Sequence, residues 1–306
     1  MKKDRKLCAG IEATLKSTDT EEFIDIHFYR PAGYFWALLF RRLGVHPNVV
    51  TFASMLIGAM AGACFYFTEL WINVAGMLLL VWANAYDSAD GQLARMTGQA
   101  SPLGRMLDGF CGDVWFVCIY AAICFRLMPQ WDLWIWLLGA VTGFFHGRQA
   151  AMADYYRNVH LFFIKGEAGS ELADSQTLRA HCERKNAGGF FSRFSDRMYY
   201  SYTKGQEAWA VRFLELRAVL ARKYPADIPE WFRAEFRAKS LPLMKYTNML
   251  SFNTRALVLC LSLLLNVPWA YFAFELTVLN VLLAYMVVTH ERFCKSFVAR
   301  LSAETS

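Results

Sequence analysis

Residues 71–125 read WINVAGMLLLVWANAYDSADGQLARMTGQASPLGRMLDGFCGDVWFVCIYAAICF, two apolar runs joined by a short polar turn. A helix needs about 20 predominantly apolar residues to cross the hydrocarbon core of a bilayer. Residues 71–94 and 103–125 each have that length, which predicts two consecutive membrane helices. Four aspartates interrupt the apolar pattern, Asp87 and Asp90 in the first run and Asp108 and Asp113 in the second. An Asp at the centre of a membrane helix costs roughly 2.5–3.5 kcal/mol, so four of them together require a cationic partner.

The rest of the chain extends this reading. Of its 306 residues 56% are hydrophobic and 19% charged, with a net charge of +6, which excludes a disordered or linker-like protein. Further runs of spanning length lie at 48–67, 133–153, 248–266 and 269–289. The expected fold is therefore all-α, a polytopic integral membrane protein with six transmembrane helices. Among the short connections between spans Arg126 is the only basic residue, whereas the N-terminus, the turn after span two, the segment 154–247 and the C-terminus hold almost all the other Lys and Arg. By the positive-inside rule both termini face the cytoplasm, which is the inner-membrane orientation if the chain is bacterial.

Five segments follow from the same pattern: a cytoplasmic N-terminus with an interfacial helix (1–47), spans one to four (48–153), a helical insertion (154–247), spans five and six (248–289) and a tail (290–306). The interfacial helix is expected from Arg30-Pro31 to Leu43, with Phe35, Trp36, Leu39 and Phe40 apolar and Arg41 and Arg42 at its end. Pro47 is placed at the first turn of span one, where its missing N–H costs nothing. The insertion carries 16 Lys and Arg against 11 Asp and Glu, and Trp209, Phe213, Leu216 and Leu220 recur at helical spacing. Its helices are expected to pack on one another or on the bilayer surface; a basic face attracting anionic headgroups or an anionic substrate is the sharper alternative.

Eight cysteines without a Cys-x-x-Cys pair read as free thiols packing as small apolar groups. The N-terminus starts Met-Lys-Lys but stays polar to Glu22, so no cleaved signal peptide is expected. There is no internal repeat, Walker loop or dinucleotide fingerprint, and no nucleic-acid partner is expected.

If 96–102 forms the turn between antiparallel helices, Asp90 and Asp108 come level at 1.5 Å per residue, with Asp87 and Asp113 close behind. All four then sit in the cytoplasmic half of the membrane. Oxygen ligands so arranged suit one or two hard divalent cations, Mg²⁺ or Mn²⁺, which commonly share their coordination with substrate phosphates. Two other readings stand beside this one: a buried Asp–Arg network using Arg95 and Arg105, and an ion or proton relay in a transporter.

The run resembles the signature of the CDP-alcohol phosphotransferases, Asp-x2-Asp-Gly-x2-Ala-Arg-x8-Gly-x3-Asp-x3-Asp, at Asp87, Asp90, Gly91, Ala94, Arg95, Gly104 and Asp108. Arg30-Pro31 and the stretch from His46 to Thr51 are also similar to that family's entry into its first span. The resemblance implies a membrane enzyme of phospholipid synthesis that moves a substituted phosphate from a CDP-alcohol, such as CDP-diacylglycerol, to an acceptor hydroxyl and releases CMP. It implies metal ligation by Asp87, Asp90, Asp108 and Asp113, and donor binding at Asp90, Gly91, Ala94, Arg95 and Gly104. Within that set Gly91 would let the cytidine approach the backbone, Arg95 would neutralise phosphate charge, and Gly104 would serve helix packing. Partners would be a CDP-linked lipid, a small hydroxylated acceptor and membrane lipids, with a homodimer common in the family. A catalytically inactive lipid–nucleotide binder is the remaining alternative.

The family's last Asp, the base for the acceptor hydroxyl, would fall at Gly112; here Asp113 stands one place later. A residue five beyond Asp108 is rotated about 140° from it in a regular helix. A π-bulge between Asp108 and Asp113, eased by Gly109 and Gly112, is therefore the expected device that returns Asp113 to the site as base. For the acceptor, Asn248, Ser251 and Arg255 are expected on one face of span five, and Arg148 at the end of span four. The basic insertion and Arg255 lean toward a phosphorylated polyol such as inositol phosphate. His146 reads as a packed, hydrogen-bonded residue, and Glu275 and Asn280 carry no assigned role.

Overall fold

The computed structural model describes residues 17–166, 170, 172–184 and 190–303. The basic start of the chain with Cys8, and the last residues of the tail, lie outside them. Among the described residues every regular element is helical. A π-helical turn, Asp25–Tyr29, leads into α1 (Arg30–Arg42); α2 (Pro47–Cys64), α3 (Leu70–Thr97), α4 (Pro102–Trp131) and α5 (Trp134–Lys165) follow. After them come α6 (Ser175–Arg184), α7 (Phe190–Glu207), α8 (Val211–Lys223), α9 (Glu230–Met249) and α10 (Phe252–Leu264). The chain closes with α11 (Trp269–Phe274), a second π turn (Glu275–Leu279) and α12 (Asn280–Ala303). Among the described residues three stretches are long and apolar enough to cross a membrane: Pro47–Cys64, Leu107–Trp131 and Trp269–Ala303.

Three of the expected spans have clearly different boundaries, and the sixth runs on as one helical stretch to Ala303, past the expected end at 289. The fourth continues to Lys165 as one helix of 32 residues, about 48 Å long, well beyond the expected end at 153. The fifth does not run through 248–266. Helix α9 ends at Met249, the chain turns at Leu250 and Ser251, and α10 has only 13 residues, about 20 Å. Asn248 and Arg255 thus belong to different helices.

Local signals explain the helix ends. His46 N-caps α2, its Nδ1 accepting from Asn48 N–H at 3.2 Å, and Pro47 occupies the first turn as expected. Gly98, at φ 67°, closes α3 in the left-handed conformation that glycine adopts without strain. Ser101 then caps α4 by accepting from Gly104 N–H at 3.0 Å. The seven described cysteines are free.

The chain forms two compact units. One comprises residues 1–147 and 252–277, the other 148–251 and 278–306, the boundary falling inside α5. In the first unit α2 packs between α3 and α4 at close range. A Cβ on Gly58 would meet the Trp115 ring at 2.1 Å, and one on Gly62 would meet Cys118 at 2.9 Å. Helix α1 lies along α3, where Gly33 is pressed against Ser88. An apolar core including Leu80, Trp115, Ile119, Leu259 and Phe272 fills the interior. Arg126, the basic residue out of pattern in the sequence, donates to Phe65 O and Asn73 Oδ1, both at 3.2 Å, and to Asn266 Oδ1 at 2.8 Å. It thereby satisfies a carbonyl just past the end of α2 that would otherwise lack a partner.

The second unit is built on aromatic packing. Phe163 stacks on Phe236 at 3.7 Å, and Phe232, Phe293 and Phe297 surround them. Of the apolar stripe read from the sequence, Phe213, Leu216 and Leu220 are buried while Trp209 stays exposed. Helix α8 packs against α12, and Glu291 accepts from the Arg212 backbone N–H at 2.7 Å.

Candidate active site

The spacing of Asp87 and Asp90 on α3 places both on one side of that helix, and α4 brings Asp108 to them. One carboxylate oxygen from each of the three lies within 4.8 Å of the others. Asp90 is buried, Asp87 half-buried and Asp108 exposed, so the cluster opens on the Asp108 side. All the ligand atoms are carboxylate oxygens, the donor set that hard divalent cations take, and a bound cation would relieve the repulsion between three carboxylates this close. The residues fit Mg²⁺ or Mn²⁺.

Neighbouring helices fix the carboxylates. Thr51 on α2 donates to Asp90 Oδ2 at 2.5 Å. Asp87 is hydrogen-bonded to Cys111 on α4, whose sulfur lies 3.4 Å from Ser54 Oγ. Ser54 in turn donates to Ala83 O at 2.9 Å, and its carbonyl accepts from Trp115 Nε1 at 3.1 Å. A chain of small polar groups from α2 and α4 thus holds the acidic turn of α3. Two cations act on the cluster electrostatically, Arg30 on Asp87 and Arg95 on Asp90 and Asp108.

The glycines divide by environment. A Cβ on Gly91 would meet only the Arg95 guanidinium, at 3.5 Å, so packing within the protein does not demand glycine there. Open space beside Gly91 is what a ligand lying against the helix needs. At Gly104 a Cβ would come within 3.2 Å of Ser101 Oγ and 3.3 Å of Asn48 Oδ1, a tight contact at the start of α4. Ala94 is half-buried on α3 one residue before Arg95.

Asp113 does not join the three carboxylates. Helix α4 is regular from Pro102 to Trp131, and the bulge expected between Asp108 and Asp113 is absent. Cβ atoms on Gly109 and Gly112 would have nothing within 4 Å, so no packing force draws the backbone out of α geometry there. The regular hydrogen-bond ladder then prevails, and Asp113 is exposed, about 140° around the helix from Asp108. Among the described residues π turns lie elsewhere, at Asp25–Tyr29 and Glu275–Leu279.

Of the residues expected to bind an acceptor, Asn248 and Arg255 lie on different helices and so do not share one helix face. Arg255 is buried and paired with Glu275, which also accepts from Tyr271 OH at 2.7 Å. His146 Nδ1 takes part in the same cluster, 2.7 Å from Arg255 Nη1 and 2.8 Å from Tyr120 OH. Arg255 is neither snorkelling nor presented to a substrate. Glu275, given no role in the sequence, is the partner that accounts for it. Asn248 and Arg148 belong to the second compact unit, where Arg157 donates to Asn248 Oδ1 at 3.3 Å and to Ser251 Oγ at 2.9 Å. Thr51, Ser54 and Cys111 support the carboxylates although their sequence positions assign them no role, and of the three only Thr51 carries a signal. Its signal was its place in the stretch after Pro47.

Comparison with known proteins agrees with the geometry. Residues 44–160 match the family described as CDP-alcohol phosphatidyltransferase. The chain is 28% identical over 128 residues to choline/ethanolaminephosphotransferase 1 of Arabidopsis thaliana, covering 38% of this chain and 31% of that protein. It is 37% identical over 67 residues to an archaetidylinositol phosphate synthase of Aeropyrum pernix, covering 22% of this chain and 33% of the relative. It is 28% identical over 95 residues to a CDP-diacylglycerol–glycerol-3-phosphate 3-phosphatidyltransferase of Pseudomonas fluorescens, covering 31% and 47%. The matches with the first relatives span about a third of those proteins' length. No solved structure matches the chain. The stretch of this chain that matches the CDP-alcohol phosphatidyltransferase family, residues 44–160, contains Thr51, the three clustered aspartates, Gly91 and Arg95.

Proposed function

We propose that the chain transfers the substituted phosphate of a CDP-alcohol to an acceptor hydroxyl and releases CMP, with one or two Mg²⁺ or Mn²⁺ ions held by Asp87, Asp90 and Asp108. The observation that carries this reading is the convergence of the three carboxylates from two helices within 4.8 Å, inside the matched domain. A divalent cation bound there would neutralise diphosphate oxygens and stabilise the departing CMP. Asp90, buried and held by Thr51, keeps its orientation without substrate. Gly91 leaves the helix surface open to the nucleotide, and Arg95 places a positive charge beside it.

In the reaction a new bond forms from the acceptor oxygen to the phosphorus that bears the donor's alcohol, and the bond from that phosphorus to the CMP oxygen breaks. The acceptor's proton has to pass to a carboxylate. Asp108, the exposed member of the cluster, with open space beside Gly109 and Gly112, is the group we assign to take it; Asp113 in a regular α4 faces away. Following the Lys and Arg distribution, we place this site and both termini on the cytoplasmic side.

The test is CMP release by the purified protein in Mg²⁺ or Mn²⁺. One arm supplies CDP-diacylglycerol with glycerol 3-phosphate, serine, inositol or inositol phosphate, and the other supplies CDP-choline or CDP-ethanolamine with diacylglycerol. The Arabidopsis relative, named for choline and ethanolamine, motivates the second arm. Metal-dependent CMP in one arm, lost in Asp87→Asn, is the expected result. No CMP with any pair, or ion-driven flux in its place, would overturn the enzyme reading in favour of a transporter or a binding protein.

A further inference from the structure

Arg30 opens α1, and its backbone is fastened along α3. Gln92 Nε2 donates to the Arg30 carbonyl at 3.1 Å, Tyr29 is hydrogen-bonded to Asn84, and Gly33 touches Ser88. Residues 84, 88 and 92 form one stripe of α3, next to the stripe that carries Asp87 and Gly91. Arg30 is therefore set beside the acidic cluster by three separate contacts.

Its guanidinium grips a carboxylate. Nε donates to Glu21 Oε2 at 3.2 Å and Nη2 to Glu21 Oε1 at 2.7 Å, a two-pronged fork. The pair is mostly shielded, with side-chain exposures of 18% for Arg30 and 8% for Glu21. Arg95 interacts electrostatically with Glu21, with Arg30 and with Asp90 and Asp108. Two arginines thus share one anion at the edge of a three-carboxylate cluster. A two-pronged guanidinium fork is the geometry that binds phosphate as readily as carboxylate.

We propose that Arg30, together with Arg95, is a seat for a phosphate group of a substrate, and that Glu21 occupies this seat as an internal carboxylate until the phosphate displaces it. The inference rests on the proposed transferase reading and adds a binding residue and an occupant that the aspartate motif does not contain. The group is a phosphate monoester or diphosphate. It comes either from the CDP-alcohol or from a phosphorylated acceptor, and the two sources give different kinetic outcomes.

The experiment uses the full chain in detergent with Mg²⁺ and measures CDP binding by calorimetry, alongside KM for donor and acceptor. Glu21→Gln removes the competing charge, so CDP binds more tightly or KM falls for whichever substrate carries the seated phosphate. Arg30→Gln weakens the same step by roughly tenfold or more, and Arg30→Lys restores part of it. Opposite shifts in Glu21→Gln and Arg30→Gln cannot both come from impaired folding. A change confined to the donor KM and CDP affinity assigns the phosphate to the CDP-alcohol; one confined to the acceptor KM assigns it to the acceptor. Unchanged binding and KM in both variants, while Asp87→Asn abolishes CMP release, would overturn the proposal and leave the transferase reading intact. Failure of the transferase reading shows separately, as absent CMP release in the unaltered protein, and calorimetric binding of CDP or of glycerol 3-phosphate or inositol phosphate still reads the seat.

Discussion

Thr51 Oγ1 lies 2.5 Å from Asp90 Oδ2, so a hydroxyl on α2 fixes a carboxylate on α3. Thr51→Val keeps the shape of the side chain and removes the donor. The expected outcome is a metal requirement raised by roughly 10- to 100-fold, the usual scale for a lost ligand-orienting hydrogen bond, with little change in the temperature of unfolding. A titration of CMP release against Mg²⁺ and Mn²⁺ checks it.

The three clustered aspartates and Asp113 are expected to separate in their effects. Asp87→Asn, Asp90→Asn and Asp108→Asn should each lower CMP release by roughly a hundredfold or more, because each removes charge from the cation and diphosphate site. Asp113→Asn should stay within a few-fold of the unaltered protein, since α4 is regular and turns Asp113 away. A collapse of activity in Asp113→Asn would show that α4 rearranges when substrate binds. Removing divalent cations with a chelator should abolish activity and leave the helix content unchanged.

Two glycine substitutions distinguish binding from packing. Gly91→Ala meets only Arg95, at 3.5 Å, and alanine favours a helix interior by roughly 0.5–1 kcal/mol. It is expected to raise the unfolding temperature while raising KM for the CDP-alcohol. Gly58→Ala drives a methyl into Trp115 and is expected to destabilise the protein by about 1–3 kcal/mol. Thermal unfolding paired with donor KM reads both.

Arg255 and Glu275 form a buried pair with no substrate-facing surface. Breaking it from one side, as Glu275→Gln or Arg255→Met, should cost about 3–5 kcal/mol because a charge remains buried alone. Replacing both with Met should recover much of that loss. Should the single variants unfold at the normal temperature but lose activity, the pair would have a role in the reaction after all.

Local signals along the chain specify most of the helices and the acidic motif. Apolar length and Pro, Ser, His and Gly at helix ends are local signals, and they placed α1 to α4 to within a few residues. The antiparallel turn between α3 and α4 brought Asp87, Asp90 and Asp108 level without further information, because 1.5 Å per residue along two joined helices is arithmetic. Packing settles what depends on rotation about the helix axis and on partners distant in the chain. Whether α4 bulges at Gly109 and Gly112 turns on what packs there, and open space leaves it regular. Whether Arg255 reaches a substrate turns on Glu275, 20 residues later on another helix, which claims it in the interior. A buried charge takes the partner that folding brings to it, and hydropathy shows only that it needs one.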